Sequence, residues 1–261
     1  MITDAQKHAW LYNLNNLPVR RWPFDHCLLD HTIPPDLYAQ MQQHMPPHEE
    51  FVPLHSTGRI GKGAYPERFI YDPNAMHLLE WSSTGQDSSK DPNPRMFLWD
   101  DLRVFLLSRE FALSLAAPYG KLAAQLRQNP DAWIMDTLLI EDLPGYRIGP
   151  HADAPHKVLS ALFYLGRPPV LRIAGAGMLP GPKFPEWGTS LYQPNDSADV
   201  DPQSGRHYEF ADFTRIATVP YAYNAGLSFL KSNKSWHGVE TIPAIEGERR
   251  IVLLADIKVR R

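Results

Sequence analysis

The sequence predicts an all-β core with helical additions, an α+β chain in class. Three observations point there. From Trp133 onward the apolar residues fall in short runs, at 134–140, 158–165, 189–192, 227–230 and 251–257. Runs of that length, bounded by turn residues, favour a sandwich or barrel over a βαβ array. Upstream of Trp133 the texture is different, with helical spacing in places. Proline is also abundant, with 25 residues spread through the chain, which suits turns and short strands better than long helices.

Taken in order, residues 23–30 (PFDHCLLD) read as a short strand ending in a turn. Ile33-Pro34-Pro35 then opens a helix, with Leu37, Met41 and Met45 four apart on one face. Residues 101–107 are a second helical stretch. Ser108 is the N-cap of a third, an Ala/Leu-rich run reaching about residue 128, with a break at Pro118-Tyr119-Gly120. The five β runs follow. Two long loops are expected among them, a Gly/Pro-rich one at 166–187 and a polar one at 194–205. Loops of such length inside a compact domain are uncommon and often functional. The expected organisation is a mixed, helical region over 1–132 packed on a β core over 133–261.

Bulk properties narrow the function classes. The 261 residues carry a formal net charge of -3, from 26 basic and 29 acidic side chains, with no polybasic block. Nothing in that balance favours nucleic acid or an anionic membrane as partner. The single cysteine, Cys27, cannot form an intramolecular disulfide, which fits a reducing cytosol. The opening MITDAQKHAWLYNLNN has no cationic head followed by an apolar run, so no secretory signal is expected. No run approaches the roughly 18 apolar residues of a membrane span. A cytoplasmic protein acting on a small molecule or peptide is the expectation.

The most informative stretch is Gly145-Tyr146-Arg147-Ile148-Gly149-Pro150-His151-Ala152-Asp153. On a strand, His151 and Asp153 point to the same face. A third ligand, His237 in Trp236-His237-Gly238, lies 84 residues after Asp153. Two imidazoles and one carboxylate on one side of an ion leave open positions, the geometry of non-haem Fe(II) oxygenases. Arg249 and Arg250 follow His237 by 12 and 13 residues, where a strand begins. An arginine fork pairs well with a buried carboxylate, but only one of the two can face inward. Alternation from Arg249 gives Ile251, Leu253, Ala255 and Ile257, all apolar, so Arg249 is expected to be the inward one.

His-X-Asp, a distant His-Gly and an arginine at a strand start resemble the 2-oxoglutarate/Fe(II)-dependent dioxygenase superfamily, its prolyl-4-hydroxylase-like branch above all. Pro150, the strand VLSALFYL, residues 220–229 and Ser235-Trp236-His237-Gly238-Val239 add to the match. The likeness covers roughly 133–258. It implies a double-stranded β-helix (jelly-roll) fold, Fe(II) held by His151, Asp153 and His237, and O2 as oxidant. It further implies 2-oxoglutarate as co-substrate, released as succinate and CO2, with ascorbate as an auxiliary reductant, and hydroxylation of a C–H bond. The co-substrate pocket would draw on Arg249, Arg250 and Tyr146. Many relatives carry Ser or Thr two residues beyond that arginine. Ile251 stands there if Arg249 binds, so the missing hydroxyl falls to Tyr146 or Thr137.

Other readings compete. The same three ligands on a cupin-like barrel suit Zn²⁺ with an activated water, in a hydrolase or lyase, and that chemistry needs no arginine after the last histidine. A non-catalytic barrel module is a third possibility, opposed by the cost of retaining buried ligands without a metal. His156 reads as a polar loop histidine and Lys157 as a solvated charge. Trp133, Trp187 and Trp236 read as core. Histidines 8, 26, 31, 44, 48, 55, 77 and 207 show no paired spacing and receive no role. Cys27 reads as a small buried apolar residue.

Overall fold

The fold is seen in a computed structural model that describes residues 1–71, 94–167 and 183–260. Among these residues two antiparallel sheets face each other. The larger has seven strands in the order β1 (His26–Leu28), β9 (Ala225–Leu230), β6 (Lys157–Tyr164), β11 (Arg250–Val259), β4 (Trp133–Asp142), β3 (Arg68–Tyr71) and β2 (Val52–Pro53). The smaller has four, in the order β5 (Ile148–His151), β10 (His237–Val239), β7 (Lys183–Pro194) and β8 (Phe213–Ala222).

The space between the sheets is filled from both. Ile70, Ile140, Tyr164, Leu227 and Val252 come from the larger sheet, and Trp187, Leu191, Val219, Tyr221 and Val239 from the smaller. The other face of the larger sheet is not solvated either. Leu159, Ala161, Phe163, Ile251, Leu253, Ala255 and Ile257 pack there against helices. These are α1 (Asp4–Asn15), α2 (Pro35–Gln43), α3 (Pro94–Leu106), α4 (Arg109–Ala116) and α5 (Lys121–Gln128).

Local chemistry starts and stops these helices where expected. In α1 the Thr3 hydroxyl accepts from Gln6 N, and the Gln6 side chain accepts from Thr3 N, a reciprocal cap. Trp10 and Leu14 of α1 are fully buried, and Trp10 meets Phe105, Phe111 and Phe163 edge-on or tilted at 5.4–5.8 Å. Ser108 caps α4 by accepting from Phe111 N. The break after α4 falls at Ala117–Tyr119, and Gly120, at φ 24°, starts α5.

The five expected β runs lie in β4, β6, β7, β9 and β11. Two expectations need correction. The stretch 166–187 is not all loop, because β7 begins at Lys183; residues 168–182 of it lie outside the described residues. The sequence also gave no notice of β2, β3 and β8. The stretch 1–132 supplies strands β1, β2 and β3 to the larger sheet as well as helices.

Candidate metal centre

His151 is the last residue of β5. Asp153 follows it in irregular chain rather than on the strand, so the same-face argument fails, although the two side chains still meet. The turn before β6 returns the carboxylate to the imidazole, with His151 Nε2 3.9 Å from Asp153 Oδ1. His237 opens β10 and pairs with His151 directly across the ladder, their ring centroids 4.3 Å apart. One donor atom from each of His151, Asp153 and His237 lies within 4.8 Å of the others, and all three residues are buried. Gly238 permits that approach: a Cβ there would meet the Ile148 carbonyl oxygen at 2.7 Å.

Backbone carbonyls set the tautomers. His151 Nδ1 is 3.0 Å from the Gly149 oxygen, and His237 Nδ1 is 2.9 Å from the Ser235 oxygen. A carbonyl only accepts, so each Nδ1 carries the proton and each Nε2 keeps its lone pair. Burial lowers both imidazole pKa values. His151 goes well below the ordinary value because His237 adds to the effect, although Asp153 pulls the other way. Burial opposes ionisation of Asp153, yet the Lys157 ammonium beside it holds its carboxyl well below the usual range. Two neutral imidazoles and an ionised carboxylate are a donor set for a divalent transition metal.

Lys157 is not the solvated charge the sequence suggested. Its ammonium lies 3.0 Å from Asp153 Oδ1 and 3.1 Å from Asp256 Oδ2. Despite burial, those two carboxylates push its pKa above the ordinary lysine value. Ser160 Oγ donates to Asp153 Oδ2 at 2.8 Å. His207, which had no sequence signal, places its ring 4.5 Å from that of His151, and Tyr65 OH contacts its Nδ1. Tyr65, Glu67, Arg147, His207 and Tyr208 line an open cavity of about 500 Å³ beside the centre.

The two arginines occupy opposite faces of the larger sheet, reversing the expectation. Arg250 points between the sheets, 2% exposed, with Val252 beyond it in the inter-sheet core. Arg249 points to the helix side, where Ile251, Leu253, Ala255 and Ile257 pack. There it is already held by Glu141 at 2.6 Å and the Pro46 carbonyl at 2.9 Å. The apolar alternation was real but marked the helix-covered face. Val252, not Ile251, is the residue two beyond the inward arginine. Thr137 lies on the helix-covered face with Arg249: its hydroxyl donates to the Leu254 carbonyl, and it lines a small cavity with Tyr71, Trp99 and Leu253.

Arg250 is part of a buried cluster. Its Nε donates to the Trp187 carbonyl at 2.7 Å, and its Nη1 meets Asp142 Oδ2. Arg68, on β3, grips the same Asp142 through two bonds of 2.6 and 3.0 Å and lies 4.1 Å over the Tyr146 ring. Two guanidinium groups thus share one carboxylate, with no second carboxylate paired to either among the described residues. Tyr146 is fully buried, and its hydroxyl has no hydrogen-bond partner among the described residues. Burial and Asp142 raise its pKa against the pull of Arg68 and Arg250, so it is a neutral donor. A buried hydroxyl left unpaired is costly and fits an absent acceptor.

No family model matches the chain, and no curated protein matches it. Solved structures do. The non-haem alpha-ketoglutarate-dependent epimerase SnoN from nogalamycin biosynthesis is similar at 14% identity and a TM-score of 0.48, over 98% of this chain and 82% of that one. A prolyl-4-hydroxylase of Pseudomonas putida is similar at 14% identity and a TM-score of 0.44, over 98% and 100%. HygX of Streptomyces hygroscopicus, with nickel and 2-oxoglutarate bound, is similar at 10% identity and a TM-score of 0.45, over 99% and 88%. At this level of likeness the residues of the chain itself have to carry any assignment.

Proposed function

We propose that the protein is a non-haem Fe(II) oxygenase of the 2-oxoglutarate-dependent class, built on a double-stranded β-helix. It hydroxylates a C–H bond of a peptide or small molecule, with release of succinate and CO2. The observation that carries this reading is the meeting of His151, Asp153 and His237 within 4.8 Å, both imidazoles presenting Nε2. Fe(II) bound there supplies the oxygen chemistry.

What distinguishes this reading from a zinc hydrolase is the cationic cluster. Arg250 and Arg68, over-charged relative to Asp142, suit the distal carboxylate of 2-oxoglutarate. Tyr146 OH donates the further hydrogen bond that the family's Ser or Thr supplies elsewhere. Val252, Ile140 and Leu191 keep water from that end, which strengthens the pairing. A hydrolase acting through a metal-bound water does not require a second pole for a co-substrate carboxylate. Prime-substrate access falls to the cavity beside His207. The metal-ligand residues are assigned to 133–261, while 1–132 contributes outer helices and three strands of the larger sheet, Arg68 among their residues.

The test is turnover of the co-substrate. With Fe(II), 2-oxoglutarate and air, succinate forms slowly without a prime substrate and faster with one, and chelator stops it. No succinate under any of a broad set of peptides and metabolites, with one metal ion bound, would return the protein to the hydrolase class.

A further inference from the structure

A chain of polar side chains runs back from the metal centre. Asp153 receives Ser160 Oγ on one oxygen and the Lys157 ammonium on the other. Lys157 in turn rests on Asp256, whose side chain is 2% exposed. Lys258 also approaches Asp256 Oδ2, at 3.8 Å, while itself paired with Asp136. An ammonium against a metal-ligating carboxylate is unexpected, since alone it would cancel the charge that attracts a dication and would repel the ion directly. Asp256 offsets it. Burial and Asp153 push the Asp256 carboxyl upward from its usual range, and Lys157 and Lys258 oppose that.

We propose that Lys157 and Asp256 are positioning residues of the metal centre. Lys157 fixes the orientation of the Asp153 carboxylate, and Asp256 neutralises Lys157 so that the centre still presents one negative charge to the ion. The proposal rests on the metal-site reading above. It concerns residues that touch neither the ion nor the substrate, so it acts through Asp153. Charge, rather than fold integrity, sets the sign of each substitution. Asp256→Asn leaves the ammonium uncompensated, so divalent binding weakens. Lys157→Met leaves Asp153 and Asp256 with no cation between them, so the negative charge near the ion grows and binding tightens. The double variant restores the balance.

The experiment is anaerobic titration of the full chain with Co(II) alone, followed by visible absorption, without co-substrate. The expected order of affinity is Lys157→Met above wild type, the double variant within about threefold of wild type, and Asp256→Asn at least about fivefold below it. Such factors are what unit charges produce across a few ångströms of partly screened interior. The Co(II) spectrum of Lys157→Met also differs from wild type, because Asp153 then keeps only the Ser160 hydrogen bond on its other oxygen. A purely structural role predicts that every variant binds more weakly and that the double is worst, which overturns the proposal. Wild-type affinity in Asp256→Asn overturns it as well. If Asp256→Asn does not fold, the single Lys157→Met decides by the direction of its change. Wild type that binds no Co(II) sinks the metal site itself, a different result from any of these.

Discussion

Side chain by side chain, the centre depends on three donors that cannot replace one another. His151→Ala, His237→Ala and Asp153→Gly each remove one, and each is expected to abolish Fe(II)-dependent succinate release while the far-ultraviolet circular dichroism stays that of the folded chain. Full activity in any one of them contradicts the triad. The arginines give a ranking. Arg250→Ala is expected to raise the KM for 2-oxoglutarate at least tenfold, since it removes a charge-assisted pairing worth about 1.5–3 kcal/mol. Arg249→Ala, facing the helices and bound to Glu141, changes that KM by less than about threefold. The reverse order would place the co-substrate on the other face of the sheet. Residue by residue, the sequence pointed to three side chains that the structure brings together, because their spacing is distinctive and their residue types are few. It hid Arg68, Asp142, Lys157, Asp256 and His207. Arg68, Asp142, Asp256 and His207 gain meaning only from partners far away in the chain, and Lys157, four residues from Asp153, gave no sign of meeting a second carboxylate, Asp256.

The elements show where pattern reading worked and where it failed. Short apolar runs located β4, β6, β9 and β11, and Ser108 located the start of α4. The faces of β11 were misassigned because alternation identifies a buried face, and here both faces are buried, one beneath helices and one beneath the smaller sheet. The polar ends of the other face, Arg250 and Asp256, were the better clue. Two element-level outcomes follow. Gly238→Ala drives a methyl group into the Ile148 carbonyl; β10 and β5 are forced apart, and Co(II) affinity is expected to fall by an order of magnitude in calorimetric titration. Trp10→Ala empties a fully buried indole site beneath the larger sheet and is expected to cost about 3–5 kcal/mol in denaturant unfolding. Its metal affinity stays at the wild-type value, because the lost contacts are on the face away from the triad.

Across the whole molecule, the larger sheet acts as a partition. Helices stabilise one side, and the other side carries the His151, Asp153 and His237 cluster and a cationic cluster between two sheets. No helix among the described residues is long and apolar enough to cross a membrane. Ligation is expected to stabilise the whole chain, because the triad is assembled only when the strands are paired: Co(II) at a hundred times its dissociation constant adds about 2.7 kcal/mol, visible as a rise in the unfolding midpoint that His237→Ala loses. The measurement that tests the central claim most directly is X-ray absorption at the iron edge of the anaerobic Fe(II) protein. One iron per chain is predicted, with two imidazole nitrogens among its ligands in the wild type and one in His237→Ala. Iron bound without imidazole, or a spectrum unchanged by that substitution, would contradict the account.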